Sequence, residues 1–131
     1  MPNARYAAIS GQQFIGGQRR AEGEAALLSL RADDGQPTGY RFHQATAAET
    51  AAAAEAAAAA FAPYSQLSAE QRANFLDAIA EEIDALDDVF FAFAMQETAL
   101  PLARLSGERA RTSGQMRLFA TLLRRGDVEG V

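Results

Sequence analysis

Residues 47–62 are mostly alanine, and this run restricts the possible folds of the chain more than any other feature. Alanine has the highest intrinsic helix propensity, so the run predicts a helix. Thr46 and Glu49 have the spacing of a capping box, which places the first helical residue at Ala47. Because proline lacks an amide hydrogen, we expect Pro63 to stop the helix. We also expect the helix to be ordered and closely packed, since alanine lets neighbouring backbones approach each other.

A second helix is predicted after residue 67. Ser68 and Gln71 form another capping box. Apolar residues behind it recur at the spacing of one helix face: Phe75, Leu76, Ile79, Ile83 and Leu86. This pattern indicates an amphipathic helix of roughly five turns.

Two more helices follow in the second half of the chain. The acidic pair 87–88 suits a helix N-terminus, where the helix dipole favours negative charge. Residues 89–95 are almost entirely apolar, and a helix of that composition normally packs between other elements. Pro101 suits the first turn of the last helix. That helix is predicted to run to Arg125, with Gly126 as its stop.

Short strands are predicted before the helices. Phe14-Ile15 is followed by the turn signal Gly16-Gly17. Residues 27–30 form a second apolar run, and residues 33–39 are rich in turn formers. Residues 40–43 then alternate apolar with polar side chains, as a half-buried strand does. We therefore expect small antiparallel strands in this region.

These elements predict a mostly α fold class, with four helices preceded by a small antiparallel β-hairpin region. The predicted domains are residues 1–45, the hairpin region, and residues 46–131, the helical segment. At 131 residues the chain is long enough for a single core. The alanine content makes that core thin in bulky side chains.

Composition excludes several classes of protein. The chain has no cysteine and a single histidine, His43, so a thiol nucleophile and a metal site built on Cys or His pairs are excluded. Its net charge is −5 and its basic residues are scattered, which argues against a nucleic-acid partner. No apolar run is long enough to span a bilayer, so we expect no membrane partner and a cytoplasmic location. His43 itself is expected to be a surface or hydrogen-bonded side chain.

Several segments, taken in order along the chain, resemble one family. They are Phe14-Ile15-Gly16-Gly17, Pro37-Thr38-Gly39 followed by Phe42, Ala58-Ala59-Ala60-Phe61, residues 72–83, and Glu97-Thr98-x-x-Pro101. Together they resemble the N-terminal part of an aldehyde dehydrogenase, which has an α/β fold. Residues 105–120 are similar to the branch that contains 2-oxoglutarate semialdehyde (2,5-dioxovalerate) and fatty-aldehyde dehydrogenases. Two departures are Gln18-Arg19 in place of an acidic-Trp pair and Ala99 in place of a glycine.

The resemblance implies that the chemistry lies outside this chain. In the family a cysteine attacks the aldehyde, hydride passes to NADP or NAD, and a glutamate activates water, all from later parts of the sequence. We therefore expect an N-terminal fragment, inactive alone, that contains no catalytic residue and binds no cofactor or metal. Its implied partners are the remainder of the aldehyde dehydrogenase chain and further copies in a homo-oligomer. The resemblance also implies that the helical segment, residues 46–131, packs on the nucleotide-binding domain of the parent enzyme. On its own the segment is therefore expected to expose apolar surface.

One contribution to function is implied by the resemblance. The last helix of this region lines the family's substrate tunnel, and Arg111 and Gln115 lie one turn apart on it. Arg111, with Gln115 beside it, is predicted to bind the distal carboxylate of a semialdehyde acid. The alternative is that Arg111 pairs with Glu108 or lies in solvent. Gly107 and Gly114 leave room for substrate or, as we favour, for close helix packing.

A second interpretation of the whole chain comes from a different functional class. The chain would be a free-standing helical module that keeps the family's scaffold as an interaction domain. An autonomous small enzyme is a third interpretation, and no nucleophile or metal set in the sequence supports it. The gene downstream of Val131 separates the first two interpretations. A reading frame that continues into a glycine-rich turn and a cysteine motif favours the fragment.

Overall fold

A computed structural model describes residues 9–126. Its elements, in chain order, are β1 (Gln13–Ile15), β2 (Gln18–Arg20), β3 (Ala26–Leu30), β4 (Pro37–His43), α1 (Ala47–Ser65), α2 (Ala69–Asp84), α3 (Asp88–Thr98) and α4 (Leu102–Arg125). The predicted fold class is confirmed: four helices follow two small antiparallel strand pairs. The chain divides into two compact units between Ala62 and Pro63.

In the first unit, the predicted strands form two separate hairpins. β1 pairs with β2 so that Ile15 lies opposite Gln18, and the turn between them is Gly16-Gly17. Both glycines have positive φ, 59° and 78°, which suits a tight hairpin turn and which side chains disfavour. β3 pairs with β4 from Ala26↔His43 onward, with an irregularity between Leu28 and Leu30.

The start of α1 is fixed by a buried carboxylate. The Thr46 amide donates to Glu49 Oε2 at 2.9 Å, and the Glu49 amide donates to the Thr46 hydroxyl at 3.1 Å, so the predicted capping box is confirmed. Glu49 is fully buried, and its other oxygen accepts the Glu22 amide at 2.9 Å. The hydrogen bond from the Thr46 amide, helped by that from Glu22, lowers the pKa of Glu49. The carboxylate therefore joins the helix start to the segment between β2 and β3.

The predicted stop at Pro63 is wrong, because α1 continues through it to Ser65. Proline can adopt helical φ, and near a helix end it removes only one hydrogen bond. The added turn is held by packing: the Tyr64 ring meets the Phe75 ring edge to face, with 5.9 Å between centroids. A contact with α2 therefore decides where α1 ends, and the local sequence does not show it.

The second unit is built on α2 and α4, which run antiparallel. Arg124 near the end of α4 contacts Asp77 at 2.8 Å, and Arg117, earlier in α4, contacts Asp84 at the end of α2 at 2.8 Å. A hydrogen bond from the Ser113 hydroxyl, followed by one from Arg117, lowers the pKa of Asp84. The residues buried in these two helices are small: Ala73 and Ala80 from α2, Ser113 and Ala120 from α4. Small side chains let the two backbones approach closely.

The segment between α2 and α3 differs from the sequence prediction at one position. Leu86 was predicted to continue the apolar face of α2, but the helix ends at Asp84 with Ala85 as its C-cap. The Leu86 amide instead donates to the Ile83 carbonyl at 3.2 Å in a turn. The acidic pair 87–88 lies at the start of α3 as predicted, and Asp87 is the N-cap, because its carboxylate accepts the Val89 amide at 3.1 Å. The cap of the next helix leaves no room for another turn of α2.

α3 buries little of its apolar surface within this chain. Phe91 is its one buried residue, 5% exposed, within the part that the structure describes. Val89 is 59% exposed and Phe90 is 42% exposed. The expected packing between other elements is therefore not provided by residues 9–126, and the expected exposure of apolar surface is confirmed.

Ala99, the C-cap of α3, has φ of 56° in the left-handed region, where a side chain costs about 1–2 kcal/mol. At this position the aldehyde dehydrogenase pattern described above has glycine. We expect Ala99→Gly to stabilise the chain by about 1 kcal/mol, measured by urea unfolding. Ala92→Gly, at an exposed position inside α3, is the control and should destabilise by about 1 kcal/mol. Equal losses in both variants would contradict the strain at Ala99.

Candidate functional site

The predicted pair Arg111 and Gln115 lies on the outward face of α4. Both residues are exposed, and the Arg111 side chain is 82% exposed. Gly107 and Gly114 are also exposed on this helix, and a Cβ added to either glycine would meet nothing within 4 Å. The described residues therefore leave open space next to Arg111.

Arg111 is joined to Glu108, as the alternative interpretation predicted. Arg111 Nε donates to Glu108 Oε2 at 3.2 Å. Arg104 binds the other oxygen, with Nη2 at 2.7 Å and Nε at 3.1 Å from Glu108 Oε1. The hydrogen bond from Arg104, followed by the charge of Arg111, lowers the pKa of Glu108, so this carboxyl is ionised at neutral pH. The bridging role of Glu108 between two arginines was not predicted, although its i, i+4 and i, i+3 spacing carries the signal.

A groove lies among α2, α3 and α4, with a cavity volume of about 300 Å³. Its walls are mostly apolar, and Phe90, Phe91 and Leu105 are among the lining residues. Glu108, Arg109 and Thr112 from α4 supply its polar side. Phe91 is buried and also lines this groove, so it contributes both to the core of the second unit and to the groove wall.

Arg109 holds α3 and α4 together at this groove. Its Nη1 donates to the Leu86 carbonyl at 2.8 Å, and its guanidinium lies 5.1 Å from the centroid of the Phe91 ring. Both contacts tie Arg109 to the protein interior, whereas Arg111, two positions later, points outward. Arg109 and Arg111 thus have different roles: Arg109 packs against the protein interior, and Arg111 lies on the open surface.

Three other features that could indicate a function are a metal site, His43 and a membrane-spanning helix. Within residues 9–126, no group of three or more His, Asp or Glu side chains is placed to hold a metal ion. His43 is half-buried in β4, and its amide donates to the Gly11 carbonyl at 2.9 Å. None of the helices that the structure describes has the length and hydropathy to cross a membrane. The exposed guanidinium of Arg111 is suited to binding an anion, because it can form charge-assisted hydrogen bonds with a carboxylate.

Comparison with known proteins agrees with the resemblance. Residues 27–131 match the model of the aldehyde dehydrogenase family. The chain is 52% identical over 121 residues to an alpha-ketoglutaric semialdehyde dehydrogenase of Acinetobacter baylyi, which covers 92% of this chain. It is 41% identical over 119 residues, 90% of this chain, to alpha-ketoglutaric semialdehyde dehydrogenase 2 of Azospirillum brasilense. The chain spans 23% of the length of each relative. The predicted resemblance to the 2-oxoglutarate semialdehyde branch is confirmed, and the chain belongs to the aldehyde dehydrogenase family.

Proposed function

We propose that this chain is the N-terminal part of an enzyme that oxidises 2-oxoglutarate semialdehyde, an aldehyde with a distal carboxylate, to the corresponding acid. The observation that carries this proposal is the 52% identity, over 92% of the chain, to an alpha-ketoglutaric semialdehyde dehydrogenase. The 41% identity to alpha-ketoglutaric semialdehyde dehydrogenase 2 of Azospirillum brasilense supports the same substrate class.

The nucleotide and the reacting thiol belong, in this proposal, to the remainder of the enzyme. Pyrophosphate needs a glycine turn between a strand and the helix that follows it. Gly16-Gly17 joins two strands, and Gly107 and Gly114 lie inside α4, so these glycines do not fit the group. We therefore assign NADP or NAD to later parts of the enzyme. On this basis the chain alone is inactive.

The exposed apolar surface of the helices supports a proposal about partners. Val89 of α3 is 59% exposed, and Leu118 and Phe119 of α4 are 52% and 48% exposed. Apolar surface that a chain exposes in this way often marks the place where another part of a protein packs. We propose that the remainder of the aldehyde dehydrogenase chain covers it. Homo-oligomeric assembly and a cytoplasmic location stay predictions.

Arg111 and Gln115 are, in this proposal, the part of the chain that meets the substrate. Arg111 has a free face toward solvent, and a guanidinium and a carboxylate form charge-assisted hydrogen bonds. Gln115, one turn away, offers an amide donor on the same helix face. Each charge-assisted bond contributes roughly 1.5–3 kcal/mol once water is excluded. That energy is enough to separate a carboxylated aldehyde from a plain one.

The test uses a chimera in which this chain replaces the matching segment of the Acinetobacter baylyi relative. We expect the chimera to oxidise 2-oxoglutarate semialdehyde, measured by reduction of the nucleotide, and the chain alone to give no turnover. In the chimera, Arg111→Met should raise KM for 5-oxopentanoate about ten- to a hundredfold, and KM for pentanal should change little. The two probes have the same carbon chain and differ in the distal carboxylate.

A matched control removes one positive charge elsewhere on the same helix. Arg125→Met lies about four turns from Arg111 and should leave the ratio of the two KM values unchanged. Equal effects of Arg111→Met on both probes would refute the role of Arg111. A folded chimera that oxidises pentanal and rejects both carboxylated aldehydes would refute the proposed substrate class.

A further inference from the structure

Arg111 is held by one of its three nitrogens. Its Nε donates to Glu108, whereas Nη1 and Nη2 make no hydrogen bond within residues 9–126. A guanidinium binds a carboxylate either side-on, through Nε and one terminal nitrogen, or end-on, through both terminal nitrogens. Because Glu108 occupies Nε, the end-on pair is the one that stays available.

Glu108 is itself held from the opposite side. Its Oε1 accepts two hydrogen bonds from Arg104, at 2.7 and 3.1 Å, and its Oε2 accepts the bond from Arg111. Its side chain is 37% exposed, the Arg111 side chain 82%. The better-buried and doubly bonded carboxylate is therefore the fixed member of the pair. The orientation of the Arg111 guanidinium is therefore set by its hydrogen bond to Glu108.

We propose that Glu108 is a positioning residue for substrate selection: it holds Arg111 Nε so that the two terminal nitrogens face the distal carboxylate of a semialdehyde acid. This inference rests on the proposed function. Two guanidinium groups and one carboxylate leave one net positive charge in the Arg104, Glu108 and Arg111 cluster, so an incoming carboxylate is still attracted. Without Glu108, an exposed arginine must lose its rotamer freedom when substrate binds.

The first experiment changes Glu108 in the chimera and compares the same two probes. Glu108→Ala should raise KM for 5-oxopentanoate about tenfold, which corresponds to ordering one long side chain, and leave kcat and the KM for pentanal unchanged. Glu108→Gln keeps a side-chain oxygen that can accept Nε, so it should recover most of the loss and leave about a threefold rise. Glu70→Ala is the matched control: it removes another exposed glutamate paired with an arginine of α4 and should change neither KM.

A second experiment separates positioning from a general structural effect. In the Arg111→Met background, Glu108→Ala should cause no further rise in KM for 5-oxopentanoate, because its effect passes through Arg111. An additional rise there, or a fall in KM in the single variant, would overturn the proposal. If Arg111→Met raises KM for 5-oxopentanoate more than KM for pentanal and neither Glu108 variant does so, the positioning role of Glu108 is refuted and the role of Arg111 stands. If Arg111→Met has no selective effect, the proposed role of Arg111 fails and the positioning role of Glu108 fails with it.

Discussion

Replacing Gly11 by alanine is expected to destabilise the first unit by about 3 kcal/mol. Gly11 has φ of 68°, a region that costs other residues about 1–2 kcal/mol. A Cβ at this position would overlap the Arg41 carbonyl oxygen and lie 2.9 Å from Phe42 Cα. Because those atoms belong to the backbone of β4, they cannot turn aside as a side chain would. Overpacking of this kind adds about 1–3 kcal/mol.

Urea unfolding and hydrogen exchange would measure this effect. The His43 amide donates to the Gly11 carbonyl at 2.9 Å, so its exchange should accelerate strongly in the variant. Gly35→Ala is the control, because Gly35 has φ of 70° but nothing within 4 Å of an added Cβ. Gly35→Ala should lose only the stability that corresponds to placing a side chain in the left-handed conformation, about 1–2 kcal/mol. If both variants lose the same stability, the close approach of Gly11 to β4 is refuted.

Two helix starts could be predicted from sequence to the residue, because Thr46 and Ser68 each cap a helix as their capping-box spacing indicated. The acidic pair 87–88 was predicted at the start of α3, where Asp87 is the N-cap, whereas Pro101 was predicted in the first turn of α4 and is instead its N-cap. A cap is a local structure, since the side chain reaches an amide two or three positions away, and the sequence therefore contains both partners. The C-terminal stop at Gly126 was predicted for the same reason, and its φ is 74°.

The helix ends that depend on tertiary contacts could not be predicted. α1 passes Pro63 because Tyr64 packs on Phe75 of α2. The bond from the Glu22 amide to Glu49 joins residues 27 positions apart. A local sequence pattern cannot indicate such partners, because they lie outside the segment that the pattern covers.

In the candidate site, too, the local contacts could be predicted from sequence and the tertiary contacts could not. The proximity of Arg111 and Gln115 follows from one helical turn, and the Glu108 bridge follows from spacings of three and four residues. The groove and the bond from Arg109 to the Leu86 carbonyl depend on how α3 packs against α4. The contacts on the outward face of α4 could therefore be predicted from sequence, whereas the groove and the Arg109 contact on its inward face could not.

Replacing Ala120 by leucine is expected to destabilise the second unit by about 3 kcal/mol. Ala120 is 0% exposed in α4, and Ala73 and Ala80 of the facing helix α2 are also 0% exposed. Three added carbon atoms have no space at such an interface, so the helices must separate or the side chain must adopt a strained rotamer. Separation would also lengthen the contact of Arg124 with Asp77, which is 2.8 Å.

The control for Ala120→Leu is Ala110→Leu, at an exposed position of the same helix. It makes the same chemical change with similar helix propensity and should alter stability by less than about 0.5 kcal/mol. The measurement is the urea midpoint together with the m-value, since a loosened native state lowers the m-value and a purely destabilised one does not. Equal losses in the two variants would refute a tight interface between α2 and α4. Because α4 also holds Arg111, a tight interface on its inward face is what gives its outward face a fixed direction.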